Sequence, residues 1–402
     1  MTKVSNSKQM RMSNIHSIFT CIKNNSPLSK RDLQEKTGLS WGVISSVTST
    51  LCDNRYVILT GKQETRVGRK PFELGINTDE HLIIGIDLHI SSLRGVVTDL
   101  KGRPVKEWLR LFSETEYTSV LNMLLGLLDE ITKEFAARHI MGIGLAVQGV
   151  VDSEKGISIW LPHVQGWKSV PLASIIEERY HYPTYIMHDP DCIMIAEQAL
   201  GSVHMRMVEN AVLLRIDEGI GMSMLINRSI YTGTDGKAGE IGHVSVNRNG
   251  PVCVCGKQGC LEQYASSSGI VQRYYEAHDA ENSSSALLND TECDCQSIAS
   301  AARSGDKLCI GLFEQMGEYL GYAIAVLMNI INAELIVIYG CMSEYRDLFG
   351  EKMNEQLNRF IHNGITVKIH FSDMGMNAAA QGIALAMADR TIAALSEELS
   401  NS

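Results

Sequence analysis

The chain has 402 residues, 45% of them hydrophobic and 20% charged, with a formal net charge of −10. That length supports two or three domains with cores of their own, and no unbroken apolar run approaches the roughly 20 residues that span a bilayer. The first twelve residues carry basic side chains with no apolar segment behind them, which argues against a secretory leader. Ten cysteines without such a leader imply a cytoplasmic chain with reduced thiols.

Charge is unevenly spread. Residues 1–75 hold 12 Lys and Arg against 5 Asp and Glu, a net of +7, so the remainder carries −17. A basic head on an acidic body points to a polyanionic partner for the head alone. Within it, Ile15, Ile18, Phe19 and Ile22 recur at helical spacing across Asn14–Asn24. A second helix opens at Leu28–Asp32, with Ser29 placed to cap it, and closes at Thr37-Gly38. A third restarts at Leu39-Ser40-Trp41 and turns Val43, Ile44, Val47 and Leu51 inward. Two short helices joined in this way form a helix-turn-helix, whose second helix enters the major groove. Its outward positions are Ser40, Trp41, Ser45, Ser46, Ser49 and Thr50, mostly small hydroxyls that reach phosphates or base edges without crowding. Tyr56–Leu59 and Phe72–Leu74 read as two strands around a basic tip, Arg66, Arg69 and Lys70 beside Gly68. This is the wing of a winged helix, and arginines there suit a phosphate track or a narrow minor groove. The expected division is a DNA-binding domain over 1–75 and a body over 76–402.

The body opens with a buried strand, His81–Asp87, paired in a hairpin with Ser91–Asp99. Further strands are expected at Ile140–Val147 and Tyr185–Met187. The latter leads into His188-Asp189 and a helix from near Pro190 to Leu200. A carboxylate there can accept a sugar hydroxyl, or simply cap the helix. Leu213–Ile216 and Ser223–Ile226 bracket Asp217–Gly221 as a hairpin, and residues 308–331 form one long apolar helix before a strand at Leu335–Tyr339. Strands alternating with helices imply an α/β architecture.

The densest chemistry lies between Gly239 and Ala265, where His243, Cys253, Cys255 and Cys260 fall in one short loop. One His and three Cys suit tetrahedral Zn²⁺ with no vacancy for a reacting water, so the ion is structural. The other reading is ordinary reduced thiols. Gly256 and Gly259 allow the tight turn that brings Cys255 and Cys260 to one ion. Cys293 and Cys295 form a second pair in a polar stretch, lack a partner His, and read as bystanders.

The run G-E-I-G-H, followed by C-x-C-G-x-x-G-C-L-E-x-Y-A-S, resembles the signature of the ROK family of repressors, open reading frames and sugar kinases. The resemblance implies a winged helix joined to an actin-like ATPase body of two lobes. It also implies one structural zinc on His243, Cys253, Cys255 and Cys260, and sugar contacts from Glu240, His243 and Glu262. Asp189 stands where the family's kinases hold their base, preceded by His188 where they have Asn. His163, in Pro162–Trp167, replaces another common Asn and is a further hydroxyl partner.

The kinases' phosphate loops are not matched. Asp87-Leu88-His89-Ile90-Ser91 stands in place of D-x-G-G-T, and bulky His89 and β-branched Ile90 obstruct the approach of phosphate to backbone amides. Asp217-Glu218-Gly219-Ile220-Gly221 replaces G-T-G-x-G. Two carboxylates about 4 Å from a polyphosphate would repel it by roughly 4 kcal/mol. The expectation is therefore a cytoplasmic sugar-responsive regulator of carbohydrate genes, a repressor and not an enzyme. It would bind operator DNA and a sugar or sugar phosphate, as a homodimer or homotetramer. Its rivals are an active ATP-dependent sugar kinase with a DNA-binding head, and a regulator controlled by a transport-system protein.

Overall fold

A computed structural model describes residues 2–62, 72–202, 205, 207–234, 236–281 and 293–401. The chain divides into two units, Met1–Ala196 with Asn377–Ser402, and Glu197–Met376.

The first unit begins with α1 (Thr2–Asn25), β1 (Leu28–Ser29), α2 (Lys30–Thr37) and α3 (Trp41–Asp53). Helix α1 is longer than its apolar spacing suggests, since residues 7–14 bury no side chain that would register in that spacing. Ser29 caps α2 through a reciprocal box: the Asp32 N–H donates to Ser29 Oγ at 3.3 Å, and the Ser29 N–H donates to Asp32 Oδ2 at 2.7 Å. Gly38, at φ +68°, ends α2 in the left-handed region and releases the chain into α3. Strands β2 (Val57–Lys62) and β3 (Phe72–Ile76) pair antiparallel, and β1 adds to β3 in the order β1-β3-β2. The wing-tip residues Arg66, Arg69 and Lys70 lie outside the described residues.

A five-stranded sheet follows: β4 (His81–Leu88), β5 (Ser92–Asp99), β6 (Pro104–Leu111), β7 (His139–Val147) and β10 (Thr184–His188), with the two-stranded ribbon β8 (Val150–Asp152) and β9 (Ile157–Trp160) and helix α5 (Leu172–Tyr180) between the last two in the chain. The order is β10-β7-β4-β5-β6, with β4–β5–β6 antiparallel and β7 and β10 parallel to the centre. All eight residues of β4 are buried, as expected of a strand covered on both faces. One cover is α4 (Tyr117–Glu134), which buries Val120, Leu124, Leu127, Leu128 and Ile131. The other is the C-terminal helix, Ala378–Asn401. A Cβ on Gly85 would lie 2.1 Å from the Ala380 carbonyl oxygen, so glycine is what lets this helix sit directly on the strand.

The same C-terminal helix completes the core of the head. Ile15, Ile18, Phe19, Ile22, Leu33, Ile44 and Leu51 form one cluster with Ala384, Met387, Ala388, Ile392 and Leu399. Buried Lys23 pairs with Asp389 at this junction, and Lys101 Nζ donates to the Ser26 carbonyl at 3.0 Å. The winged helix is thus packed into the first unit, with no boundary between units at residue 75.

The second unit carries β11 (Ala211–Ile216), β12 (Ile220–Ile226), β13 (Ser229–Ile230), β14 (Leu335–Tyr339) and β15 (Lys368–Phe371), in the order β13-β12-β11-β14-β15. The β11–β12 hairpin is antiparallel, while β14 runs parallel to β11. The long helix Lys307–Ile331 is capped by Asp306, ends at left-handed Asn332 (φ 52°), and buries Leu312, Phe313, Met316, Leu320 and Ile324 in the core of this unit. Cys293 and Cys295 belong to that core, at 8% and 9% exposure. They are packing residues rather than members of a polar stretch.

Candidate functional site

The Gly239–His243 run crosses β12 at close quarters. A Cβ on Gly239 would meet the Met222 carbonyl oxygen at 2.4 Å, and one on Gly242 the Ile220 carbonyl oxygen at the same distance. Between them Ile241–His243 makes a short 3-10 turn, which leaves Glu240 exposed and His243 half-buried. The chain then closes on itself. The Leu261 N–H donates to the Val244 carbonyl at 2.9 Å, the Val246 N–H to Gly259 at 2.8 Å, and the Cys253 N–H to Lys257 at 2.8 Å. Gly259 is at φ +65°, and a Cβ there would fall 1.6 Å from the Asn247 carbonyl oxygen, so no other residue fits this turn.

This folding gathers His243, Cys253, Cys255 and Cys260, whose ligand atoms all lie within 4.8 Å of one another. His243 Nδ1 is 3.7 Å from Cys253 Sγ, and Cys255 Sγ is 3.6 Å from Cys260 Sγ. A tetrahedron with bonds of about 2.3 Å has edges of about 3.8 Å, so the four donors fit one ion in both kind and spacing. Burial pushes the Cys260 thiol up to about 12; a bound divalent cation would invert that and hold it as thiolate.

Glu262 follows directly and starts the short helix Glu262–Ala265. Its Oε2 accepts the Ile220 N–H at 3.0 Å. Ile220 therefore carries Glu262 on its amide and Gly242 against its carbonyl, which brings the Glu240–His243 turn and Glu262 to the same point of β12. Asn247 Nδ2 donates to Tyr264 Oη at 3.0 Å and to Tyr319 Oη at 3.3 Å, tying the loop to the long helix. Tyr264 stands in the motif read from sequence, but only the fold shows what its hydroxyl does.

Asp189 is 2% exposed in the first turn of α6 (Asp189–Leu200), with His188 Nε2 at 3.5 Å from its Oδ1. It occupies the helix start, where a carboxylate complements the helix dipole. His163 sits in the first unit at φ 60°.

The two loops compared with kinase phosphate loops differ in how they are closed. At residues 87–91 the Ile90 N–H donates to Gln148 Oε1 at 3.0 Å, and the His89 N–H to the Ser92 carbonyl at 3.0 Å. At residues 217–221 one of the two carboxylates is paired within the second unit. Asp217 Oδ2 accepts from Arg215 Nε at 2.8 Å and its Oδ1 from the Cys341 N–H at 2.6 Å, so its charge is matched inside the second unit. Residues i and i+2 of a strand share a face, and the pairing with Arg215 could have been read from that spacing.

In the head, the outer face of α3 presents exposed Ser40, Trp41, Ser46 and Ser49, with Ser45 and Thr50 partly buried beside them. Trp41 is 54% exposed at the start of this face. Ser40 Oγ accepts the Val43 N–H at 3.5 Å as the helix cap, and Ser45 Oγ accepts from Lys30 Nζ at 3.1 Å. Those two hydroxyls therefore also serve the local fold.

Fold and loop together define a class: a winged-helix head on an actin-like α/β body that carries a His/Cys cluster. The ROK family pattern matches residues 83–390, and the chain belongs to that family. A xylose repressor of Caldicellulosiruptor bescii is 28% identical over 380 residues, 92% of this chain and 94% of the relative. The xylose repressor of Bacillus subtilis is 26% identical over 92% and 93% of the two chains. The DNA-binding transcriptional dual regulator NagC of Escherichia coli is 27% identical over 85% and 84%. Among solved structures, a ROK family transcriptional regulator described as a homolog of the E. coli MLC protein superposes with a TM-score of 0.84 at 25% identity, over 98% of this chain and 100% of that one. A ROK family glucokinase from Streptomyces griseus superposes at 0.66 and 21% identity, over 75% and 98%, and shares the fold.

Proposed function

We propose that this protein is a sugar-responsive, DNA-binding repressor of carbohydrate genes. One observation carries the reading: a complete helix-turn-helix is built into the same chain as a ROK body, and chains named as repressors align with both parts. Operator DNA would be met by the outer face of α3, through Ser40, Trp41, Ser45, Ser46 and Ser49, and by Arg66, Arg69 and Lys70 of the wing. The effector, a sugar or sugar phosphate, would be contacted by Glu240, His243 and Glu262. Asp189 joins this set on the resemblance of its motif, as a hydroxyl partner and not as a catalytic base. The chain would act as a symmetric oligomer on paired half-sites.

One Zn²⁺ would be held by His243, Cys253, Cys255 and Cys260. With Nδ1 turned to the thiols, Nε2 of His243 is the nitrogen left for a hydroxyl. The ion would fix the loop between the Glu240 turn and Glu262, and so the spacing of the effector contacts. Against ATP turnover stands the closed turn at residues 87–91, where the Ile90 amide that a phosphate would need is already bonded to Gln148.

Melting of the full chain against a panel of sugars, sugar phosphates and Mg·ATP tests the reading. A ligand at about 100 times its dissociation constant adds about 2.7 kcal/mol. The expected result is a shift with one sugar and none with Mg·ATP, together with release of operator DNA by that sugar. A Mg·ATP shift that grows with sugar would replace the repressor by a kinase. Operator binding that no sugar alters would point to control by a protein partner.

A further inference from the structure

The second unit holds a cavity of 640 Å³ lined by Asn247, Asn249, Val252, Gln272, Arg273 and Glu276 among others. It involves none of the residues assigned above to the effector or the metal. Arg273, on the helix Ser267–Glu281, lies with its guanidinium carbon 5.0 Å from the centre of the Tyr264 ring. Its Nη2 donates to Gln315 Oε1, while Nη1 is buried with no hydrogen-bond partner among the described residues. Burial lowers the pKa of this guanidinium, offset by the negative ends of Tyr264, Tyr319 and Glu276. A buried guanidinium nitrogen without an acceptor is costly to keep, and planar oxyanions are the acceptors that match the fork.

The other lining groups narrow the ligand. Asn247, Asn249 and Gln272 offer amides that both donate and accept, which suits hydroxyls. Exposed Glu276 accepts from Gln272 Nε2 at 2.8 Å and leaves a negative charge on the rim. That charge disfavours a dianion such as phosphate more than a single carboxylate. We propose that this cavity binds a small hydroxylated carboxylate of the sugar-acid class, with Arg273 taking the carboxylate and the three amides the hydroxyls. Nη1 is closed off in the resting arrangement, so the ligand draws the Arg273 end group away from Gln315 into the cavity. Tyr264, which Arg273 covers, is bonded to Asn247 and lies two residues after Glu262. Occupancy of the cavity therefore bears on the loop next to it.

Calorimetric titration of the full zinc-loaded chain with D-glucuronate, D-galacturonate and D-gluconate tests this, with inorganic phosphate as comparator. At least one sugar acid is expected to bind with a dissociation constant of about 1 mM or tighter. Arg273→Lys, which keeps the charge and loses the fork, should weaken it by about tenfold or more. Asn249→Asp adds a carboxylate at an exposed position, leaves Arg273 untouched, and should weaken binding by a similar factor. Glu276→Gln should admit phosphate. No binding of any sugar acid, or binding unchanged in both R273K and N249D, overturns the proposal. Phosphate binding as tightly as the sugar acids to the unaltered chain overturns the carboxylate assignment.

Discussion

The winged-helix head and the His/Cys loop are both short pieces of chain with a defined shape, held by opposite means. The head buries Ile18, Phe19, Ile22, Leu33, Ile44 and Leu51 completely and borrows more apolar surface from the C-terminal helix. The loop leaves Val252 and Val254 at 65% and 69% exposure, and is shaped by backbone turns and four soft donors. Apolar burial needs no ligand and is indifferent to chelators. Ile241 and Leu261 anchor the two ends of the loop in the core of the second unit, but the segment between them, whose donors converge on one point, depends on what those donors bind. The DNA-reading end should therefore keep its shape under conditions that unmake the loop.

The largest expected effect comes from removing the zinc proposed for the His/Cys cluster. Structural zinc in small finger peptides is worth about 10–16 kcal/mol of apparent binding energy. Cys260→Ser, or exhaustive chelation, should drop zinc from about one equivalent to below half and abolish the sugar-induced melting shift. Hydrogen-exchange protection of α1–α3 should remain. Loss of protection in the head along with the loop would erase the contrast.

The reverse experiment strikes the head through the other end of the chain. Ile392 is fully buried in the cluster that contains Ile18 and Phe19. Ile392→Ala should cost about 2–5 kcal/mol, read by denaturant unfolding, with weaker operator binding and zinc content unchanged. An operator affinity identical to that of the unaltered chain would mean the head does not rely on the shared core.

A smaller effect should appear with pH. His81 is buried beneath Tyr56, with Nδ1 3.1 Å from His139 Nδ1 and Nε2 3.2 Å from the Arg55 carbonyl, and with Glu80 and the Arg55 side chain nearby. Burial holds its pKa below the ordinary 6.5, ahead of the Arg55 carbonyl, which raises it, and His139, which lowers it. The unfolded chain takes up this proton first as pH falls, so the neutral ring's contribution is complete above pH 6.5 and is lost below it. Melting temperature should fall between pH 7.5 and 5.5, and His81→Gln should fall less over the same range. An equal fall in both would assign the pH dependence to other groups.

Much of the head was legible because its signals are local. The Ser29–Asp32 box, Gly38, and the spacing of Val43, Ile44, Val47 and Leu51 sit within a few residues of what they determine. The His/Cys set was legible for the same reason, since its donors share one loop. The C-terminal helix was not. It buries residues on two faces, one against β4 and β7 and one against α1, so its alanine-rich run has no single apolar stripe to read. Arg273 escaped notice because its hydrogen-bond partner, Gln315, is distant in sequence. Asp217 was read as a charge without the Arg215 two positions before it, which it pairs with.

The C-terminal helix has a further consequence during synthesis. The head leaves the ribosome well before the C-terminal helix, yet five of its core partners lie between Ala384 and Leu399. At about 5–20 residues per second, the roughly 300 residues in between take about 15–60 s to be made. For that interval the DNA-reading helices exist without part of their core. Chains that stall before residue 384 would carry a complete helix-turn-helix sequence in a weakened fold. Interrupted translation would then leave few fragments able to compete for the operator, a safeguard that comes from fastening α1 with the helix Ala378–Asn401.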